Sequence, residues 1–384
     1  MAHVDNLRRH FPALRHVTYL NTGSYGALPD VSVNAMKNVL DWQLTEGRRK
    51  DNYVPELLRI QNSVRELLGQ TFHAPGANFA LTESTTHAIN IVVNGLPLFP
   101  GDEIIITDVE HQGVLIPTFV QKQRRGVTVK VVTGAQTADA LCDAVEAQLT
   151  KRTKLLIVSH VSYLTGHRLP IERLTKLAHA NDVWILIDGA QGAGVEAIDL
   201  LQLGCDFYAL PGQKWLCGPD GTGALYIKSE LLSVLDPTYA GYPTLKAPDA
   251  YSLHGSFVSP HEAKRYEHSF VNLANWRGFQ VSLHLLKVTV GWDYSYTRIN
   301  GLTGKLMDRL LDFSQVRLIT PREARAGLVH FQFGDADAIK LEKNLREREI
   351  DVRAIPDINA IRVAPGFYNS EDDLERLVSS LTKI

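Results

Sequence analysis

Three polar residues in the middle of the chain have the types and spacing needed for imine chemistry. Lys214 lies in LPGQKWLCGPDGTG, where Gly and Pro residues place it on a turn rather than on a helix face. Partial burial beside Trp215 favours the neutral amine that attacks an aldehyde. Asp188 ends the apolar run VWILID, where a carboxylate requires a partner such as a protonated ring nitrogen. Gln191 follows it and could donate to a ring oxygen.

Each of these residues also has an ordinary structural interpretation. Taken alone, Lys214 is more readily explained as a solvated loop lysine, and Asp188 as a helix cap or salt-bridge partner. The segment LTESTTHAIN opens a predicted helix with good N-cap types at Ser84, Thr85 and Thr86. Free backbone N–H groups and hydroxyls at such a helix start can bind phosphate, although plain capping explains the same residues.

Three further candidates lie on or after predicted strands. His111 follows the run EIIIT within DVEHQG, where it could stack on a flat ring or transfer protons, or simply be polar surface. Arg353 in DVRAI and Arg362 in AIRVAPGF lie on predicted strands near the end of the chain. Arginine on a strand can bind a carboxylate through two hydrogen bonds, and a surface ion pair is the alternative.

Composition excludes several classes of protein. The 384 residues are 45% hydrophobic with a net charge of −2, so no basic field recruits nucleic acid or an acidic membrane. No apolar window is long enough for a transmembrane helix, and the charged N-terminus argues against a signal peptide. Cys142, Cys205 and Cys217 do not resemble a disulfide framework, and no metal-binding spacing or GxGxxG motif is present. We therefore expect a cytoplasmic globular protein without a metal.

Short apolar runs alternate with helical patterns between residues 79 and 228. The predicted strands are 103–107, 128–132, 154–159, 183–188, 206–210 and 223–227, and the predicted helices are 85–96, 114–125, 137–149 and 171–180. This alternation predicts an α/β fold with a mostly parallel sheet and helices on both faces. Ligands in such sheets bind beyond the carboxyl ends of the strands, where Asp188 lies.

The last third of the chain has a different rhythm. One long helical pattern covers 274–313, and shorter segments follow it. Strands are predicted at 327–333, 351–355 and 360–363, and helices at 336–348 and 370–382. We expect a large domain over 17–273 and a small α+β domain built from 1–16 and 274–384.

The order of these motifs resembles a known group of enzymes. A helix start rich in Ser and Thr is followed by a histidine, then Asp-x-x-Gln, then a lysine before a Gly-rich strand, and finally an arginine. This order resembles fold-type I pyridoxal 5′-phosphate (PLP) enzymes, and IDGAQGAG with GQKWLCGPDGTGALY is similar to the class V aminotransferase group. That group includes cysteine desulfurases, cysteine/cystine carbon–sulfur lyases and isopenicillin N epimerase. The resemblance extends from YLNTGSYGALP to IRVAPGFYNSEDDLERL.

The resemblance implies a fold, a cofactor and a set of site residues. It implies a seven-stranded sheet in the large domain, and a homodimer whose stretch near Glu267 reaches the partner's cofactor. Lys214, Asp188 and His111 would be catalytic. Contacts with PLP are implied for Lys214 (imine), Asp188 (pyridine nitrogen), Gln191 (phenolic oxygen), His111 (ring stacking), Thr85, Thr86 and Gln213 (phosphate), and Ser162. Contacts with the substrate are implied for Arg362, Arg353 and Tyr25.

Three departures from the group distinguish this chain. Gln213 stands where many relatives have histidine, and HVSYLTG lacks the paired asparagines of the desulfurases. Desulfurases also carry a mobile catalytic cysteine in the small domain, whereas no cysteine follows Cys217 here.

These departures favour one reaction among several on the same cofactor. We expect β-elimination from cystine, cysteine or a related derivative, which gives aminoacrylate and then pyruvate and ammonia. Arg353 beside Arg362 would suit a substrate with two carboxylates. An amino-acid epimerase and an aminotransferase remain alternatives, and a non-catalytic α/β ligand-binding protein is the alternative from another class.

Overall fold

The fold is built from twelve α-helices and thirteen strands within residues 2–135, 137–269 and 272–383, the part that the computed structural model describes. The helices are α1 Ala2–Arg8, α2 Asp30–Glu46, α3 Lys50–Phe72, α4 Thr85–Gly95, α5 Gln112–Arg125, α6 Ala138–Gln148, α7 Ile171–His179, α8 Leu200–Leu203, α9 Leu273–His284, α10 Trp292–Leu310, α11 Ala338–Arg346 and α12 Glu371–Leu381. The strands are β1 Thr18–Tyr19, β2 Phe79–Thr82, β3 Glu103–Thr107, β4 Thr128–Val132, β5 Thr153–Ser159, β6 Trp184–Asp188, β7 Phe207–Pro211, β8 Gly223–Ile227, β9 Val316–Leu318, β10 Val329–Phe333, β11 Ile350–Asp351, β12 Arg353–Ile355 and β13 Ala360–Val363.

Seven strands form the central sheet in the order β2-β8-β7-β6-β5-β3-β4. Strand β8 is antiparallel to both of its neighbours, and the other pairings in this sheet are parallel. The predicted α/β fold with a mostly parallel seven-stranded sheet is therefore confirmed. Strand β2 is the seventh strand, in addition to the six that the apolar runs predicted.

Apolar side chains leave both faces of this sheet and enter two separate cores. On β3, Ile105 points into one core, whereas Ile104 and Ile106 point into the other. All five residues of β3 are buried, which explains its continuous apolar run. The helices that cover both faces leave the carboxyl edge of the sheet free for a site.

A second sheet of four antiparallel strands has the order β12-β13-β10-β9. It packs with α10, α11 and α12 around a third apolar core. Strands β1 and β11 form a separate parallel pair that joins the start of the chain to this region. The strands predicted over 327–333 and 360–363 and the helices predicted over 336–348 and 370–382 are present, most with shifted ends, whereas the strand predicted over 351–355 is divided into β11 and β12, which belong to different sheets.

The single helix predicted over 274–313 is wrong. Helix α9 ends at His284, a π-helical stretch occupies Leu285–Val290, and α10 begins after Gly291. Gly291 has φ of +81°, a backbone conformation that interrupts a right-handed helix and favours glycine. No helix of the described residues is long and apolar enough to cross a membrane.

The proposed division into two domains stays a prediction. Helix α1 contacts the C-terminal region through an ion pair of 2.6 Å between Arg8 Nη1 and Asp373 Oδ2. Phe11 nevertheless joins the largest core together with Phe367 and with α3 residues such as Leu57. Packing in this core therefore crosses the boundaries expected from the sequence.

Candidate active site

A cavity of about 630 Å³ lies at the carboxyl edge of the central sheet. It gathers side chains from the sheet, from the starts of α4 and α5, from residues 21–25 and from β12 and β13. Eleven residues singled out in the sequence line it: Tyr25, Ser84, Thr85, Thr86, His111, Asp188, Gln191, Gln213, Lys214, Arg353 and Arg362. Residues separated by more than 300 positions in the sequence thus form one wall.

Lys214 follows β7 on a turn that packs closely against Gly26. Gly26 N donates to Gln213 O over 2.7 Å, and a Cβ at Gly26 would lie 2.0 Å from Lys214 O, so only glycine fits there. Burial lowers the pKa of Lys214 to about 8, helped by Arg362 and opposed by Asp188. A neutral amine is therefore accessible close to neutral pH, as imine formation requires.

Asp188 is buried at the end of β6 without a cationic partner among the described residues. Its Oδ1 accepts one hydrogen bond, from Ala190 N over 2.8 Å. Burial raises the pKa of Asp188, and Ala190 N, Lys214 and His111 oppose that rise. A buried carboxylate with so few partners can accept a hydrogen bond from a protonated ring nitrogen in the cavity.

His111 is the N-cap of α5 and borders the same cavity. Its Nδ1 accepts a hydrogen bond from Gly113 N over 2.9 Å, which assigns the proton of the neutral ring to Nε2. The Tyr163 ring meets it edge-on, with 4.8 Å between centroids. Burial and the cations Lys214 and Arg362 lower the pKa of His111, against the effect of Asp188. These contacts fix the orientation of the imidazole ring, and its lowered pKa favours the neutral form.

The start of α4 lines the same cavity and has the features of an anion site. Ser84 caps the helix, because its Oγ accepts from His87 N over 3.1 Å. Thr85 and Thr86 line the cavity beside the first-turn N–H groups, which have no partner within the helix. Gln213 Oε1 is buried and has no hydrogen-bond partner. The hydroxyls and N–H groups of this helix start suit a phosphate group, whereas Gln213 Oε1 is an acceptor and requires a donor.

Arg362 is buried on β13 without a carboxylate partner among the described residues. Its Nη2 donates to Ser24 Oγ over 2.6 Å, while its Nε has no hydrogen-bond partner. Burial, together with Arg353, lowers the pKa of Arg362 to about 10. Arg353 lies directly opposite Arg362 in the β12–β13 pairing and is exposed at the cavity rim. Both arginines thus line the cavity, and neither forms an ion pair with an acid of the described residues.

Comparison with known proteins identifies the family. The family model described as aminotransferase class-V matches residues 18–377. The chain belongs to the class V aminotransferase family. A cysteine desulfurase of Dickeya dadantii (strain 3937) is 28% identical over 412 residues, covering 99% of this chain and 96% of that protein. A probable cysteine desulfurase of Xylella fastidiosa (strain 9a5c) is 27% identical over 403 residues, covering 99% of this chain and 95% of that protein.

Solved structures give the same grouping. The cystine C–S lyase C-DES, in complex with its reaction product cysteine persulfide, has a TM-score of 0.92 and 27% identity. That match covers 97% of this chain and 99% of the other. A C-DES variant with glycine covalently linked to the PLP cofactor also has a TM-score of 0.92 and 27% identity, and covers 98% and 99% of the two chains. The family resemblance seen in the sequence is confirmed.

Two residues expected at the cofactor have other contacts in this class V protein. Gln191 Nε2 donates to Gly23 O over 2.8 Å, and its Oε1 accepts from Trp215 Nε1 over 2.9 Å. Gln191 therefore joins the N-terminal segment to the lysine turn, and its contact with the ring oxygen stays a prediction. The structure does not bring Ser162 into the cavity wall. Its buried Oγ accepts from Leu164 N and Thr165 N and so closes a local turn.

The cavity wall contains no cysteine within the described residues. Cys142, Cys205 and Cys217 are all buried and free. Cys217 is close to Lys214 in the sequence, but burial raises the pKa of its thiol to about 12. A thiol of this kind is a poor nucleophile.

Several site residues were missed in the sequence. Ser24, the partner of Arg362, lies within a quoted motif but gives no local signal of its long-range contact. Ser159 and Gln112 also line the cavity. Glu110 immediately precedes His111 and is completely buried, and a carboxylate between a strand and the predicted histidine was the available signal.

Two features bear on the neighbourhood of Glu267. Its carboxylate pairs with Arg65 at 2.6 Å and accepts from Leu81 N, so in this chain it stabilises α3 and β2. Donor atoms of Glu83, His87 and His268 lie within 4.8 Å of one another, a candidate metal cluster that spacing in the sequence did not reveal.

Proposed function

We propose that this class V enzyme is a carbon–sulfur lyase that acts by β-elimination on cystine, cysteine or a related cysteine derivative. The cofactor is pyridoxal 5′-phosphate, as the sequence predicts, in accord with the family and with the PLP-bound structural relative. The relatives named above place the chain among PLP enzymes that process cysteine. The finer choice of elimination over other reactions is our proposal.

The residues present fit this cofactor. Asp188 is a buried carboxylate whose Oδ1 accepts one hydrogen bond, Gln213 Oε1 is a buried acceptor without a partner, and the first turn of α4 offers N–H groups for a phosphate. When bound, PLP supplies a protonated ring that withdraws electrons from the substrate α-carbon. We propose that Asp188 keeps that ring nitrogen protonated and that Lys214 holds the cofactor covalently.

The side chains around the cavity divide the remaining tasks. The Lys214 amine, with a pKa of about 8, can take the substrate α-proton and return it. Neutral His111 would stack on the cofactor ring, and its Nε2 proton would be available to a leaving group. Arg362 binds the α-carboxylate, because its guanidinium is buried and its Nε lacks a partner.

The observation that carries this proposal is the cysteine-free cavity wall. A persulfide relay needs a protein thiolate near the substrate sulfur, and the described wall provides none. Sulfur must then leave as part of a small molecule. For cystine the reaction balances as cystine plus water giving pyruvate, ammonia and cysteine persulfide, with the Cβ–S bond broken and the electron pair leaving on sulfur.

The pair of arginines favours a substrate with two carboxylates. Arg362 holds the α-carboxylate, and Arg353 at the rim can bind the distant carboxylate of cystine. Cysteine has no second carboxylate, so it gains nothing from Arg353. Loss of Arg353 should therefore weaken the binding of cystine more than the binding of cysteine.

Product analysis over cystine, cysteine, alanine and a cysteine sulfoxide tests the proposal. We expect pyruvate and a persulfide from cystine, and Arg353→Ala should raise KM for cystine about tenfold, or about 1.4 kcal/mol, more than KM for cysteine. Neither pyruvate nor persulfide from cystine would contradict the proposal. Exchange of the α-proton for deuterium without pyruvate would instead indicate an epimerase, and dependence on a keto acid an aminotransferase.

We also propose that the enzyme works as a homodimer. Apolar side chains at Tyr251, Leu253, Phe257 and Val258 are exposed, with Leu253 96% exposed. Such a patch on one surface is typical of a protein–protein interface. Sedimentation equilibrium that finds a monomer at micromolar concentration would contradict this.

A further inference from the structure

The carboxylate of Glu110 is the most unusual buried group beside the site, and the roles given above do not use it. Its Oε1 accepts from Thr107 Oγ1 over 2.6 Å and from Ser159 N over 3.1 Å, and its Oε2 accepts from Ser159 Oγ over 2.6 Å. No lysine, arginine or histidine of the described chain lies within ion-pair distance of this carboxylate. A buried acid without a cation is costly, which suggests that it has a task.

The position of Glu110 defines that task. It connects two elements of the cavity: the turn that carries His111, and Ser159 at the end of β5. Ser159 is also the register partner of Asp188 in the β5–β6 pairing. Glu110 therefore lies behind the wall, joined to His111 by one peptide bond and to the neighbour of Asp188 by two hydrogen bonds.

We propose that Glu110 is a positioning residue of the cofactor site, which fixes His111 and Ser159 and whose negative charge strengthens the hold of Asp188 on a shared proton. This inference rests on the PLP site of the proposed function. It does not depend on which reaction follows, so the two can fail separately.

The electrostatics of the region agree with this role. Burial raises the pKa of Glu110 to about 7; hydrogen bonds from Ser159 and Thr107 oppose the rise, and the Asp188 carboxylate adds to it. Asp188 on β6 is thus the charged group that acts on Glu110, with His111 next in the chain. Glu110 is ionised above neutral pH and neutral below it.

Glu110→Gln keeps the size of the side chain and removes the charge. In the PLP-loaded enzyme, the pH midpoint of the absorbance change of the Lys214 imine should fall by about half a unit or more, because a nearby negative charge favours the protonated form. We expect kcat to fall about tenfold or more through misplacement of His111, with KM little changed because Arg362 is untouched.

The apoenzyme provides a readout that is independent of the reaction. The pKa of Glu110 is raised on folding, so its stabilising effect is fully present below about pH 4.3, its unfolded value, and is lost as pH rises through 7. The unfolding temperature of Glu110→Gln, relative to wild type, should therefore rise between pH 5 and pH 8.

Glu103→Gln is the matched control, at the opposite end of β3. Glu103 is equally buried but ion-paired, and burial is outweighed by Lys130 and its other partners, which lower its pKa to about 2. Its effect on unfolding should not vary between pH 5 and pH 8, and the absorbance midpoint should not move.

The outcomes separate the possibilities. A Glu110→Gln effect that is the same at every pH, with an unmoved absorbance midpoint, would reduce Glu110 to a structural residue and overturn the proposal. If Glu110→Gln does not fold, Thr107→Val is the second variant, because it removes one hydrogen bond that favours the ionised form of Glu110. The pKa of Glu110 should then rise further, so that the decrease in stability with rising pH extends to higher pH than in the wild type. A wild-type protein without an imine band would contradict the PLP function, while the apoenzyme measurement would still test Glu110.

Discussion

The two edges of the central sheet treat buried charge in opposite ways. At the amino edge, Glu103 begins β3, and its carboxylate is fully paired with other residues of the chain. Lys130 Nζ lies 2.7 Å from its carboxylate and Arg152 Nη2 lies 3.1 Å from it, and the hydroxyls of Thr150 and Thr153 also donate to it. Every oxygen of this acid has protein partners.

At the carboxyl edge, the buried groups Asp188, Lys214 and Arg362 form no ion pair with any of the described residues. Asp188 accepts one hydrogen bond, Arg362 has an Nε without a hydrogen-bond partner, and the pKa of the Lys214 amine is lowered by burial to about 8. In a structural ion pair both charges belong to the protein, whereas in a binding site the partner of a buried charge is supplied by the ligand. The contrast indicates which edge is functional without reference to any relative.

The largest effect that would test this contrast is expected at Arg362. Arg362→Met should raise KM at least about thirtyfold, since losing one partner of a buried charge pair costs about 2–5 kcal/mol at about 1.4 kcal/mol per tenfold. The apoenzyme should keep or gain stability, because an unpaired buried charge is removed. Steady-state kinetics and thermal unfolding of the apoenzyme measure the two quantities.

Arg173→Met is the control for this experiment, because Arg173 makes an exposed ion pair with Asp139. It should leave both KM and stability nearly unchanged. A large loss of apoenzyme stability at Arg362→Met, together with an unchanged KM, would show that Arg362 is a structural residue.

The opposite pattern is expected at the amino edge. Glu103→Gln should destabilise the protein by about 1–3 kcal/mol, because Lys130 and Arg152 lose their partner, and should leave kcat/KM unchanged. The pKa of Glu103 is lowered to about 2 in the folded protein, so its stabilising effect is present above its unfolded value near pH 4.3 and is lost as pH falls towards 2. Denaturant unfolding at pH 7 and pH 3 measures it; equal stability of variant and wild type at pH 7 would contradict the contrast.

The smallest effect concerns the amine between the two charges of the carboxyl edge. In the apoenzyme, acylation of Lys214 should be half-maximal near pH 8, with exposed Lys151 giving the reference rate in the same sample. Arg362→Met should raise that midpoint and Asp188→Asn should lower it, each by up to about one unit. Mass spectrometry of the labelled peptides follows both lysines, and no response to either substitution would separate Lys214 from these charges.

Much of the fold and part of the site could be predicted from the sequence because the signals are local. The run VWILID predicts both a buried strand and a carboxylate at its end, and both are found. LTESTTHAIN predicts a capped helix, and Ser84 is the cap. The order of these local motifs along the chain was sufficient to recognise the family.

The remainder depends on contacts between distant parts of the chain, which no local pattern encodes. Arg362 meets Ser24 across 338 positions, and Gln191 uses its amide to join Gly23 and Trp215. The hydrogen bonds that Glu110 accepts from Ser159 also join residues that are 49 positions apart in the sequence and meet only in the folded sheet. The π-helical break before Gly291 likewise has no distinctive residue pattern of its own.

The wall that covers Lys214 joins segments from near both ends of the sequence. Residues 21–26 are held by Gln213 O on one side, and on the other by Ala364, which bonds to Leu20 O over 2.7 Å and to Thr22 N over 3.0 Å. On the ribosome, the lysine turn emerges some 150 residues before Ala364 does. The wall over Lys214 can therefore close only after Ala364 has emerged, so the final geometry of the site forms late in synthesis.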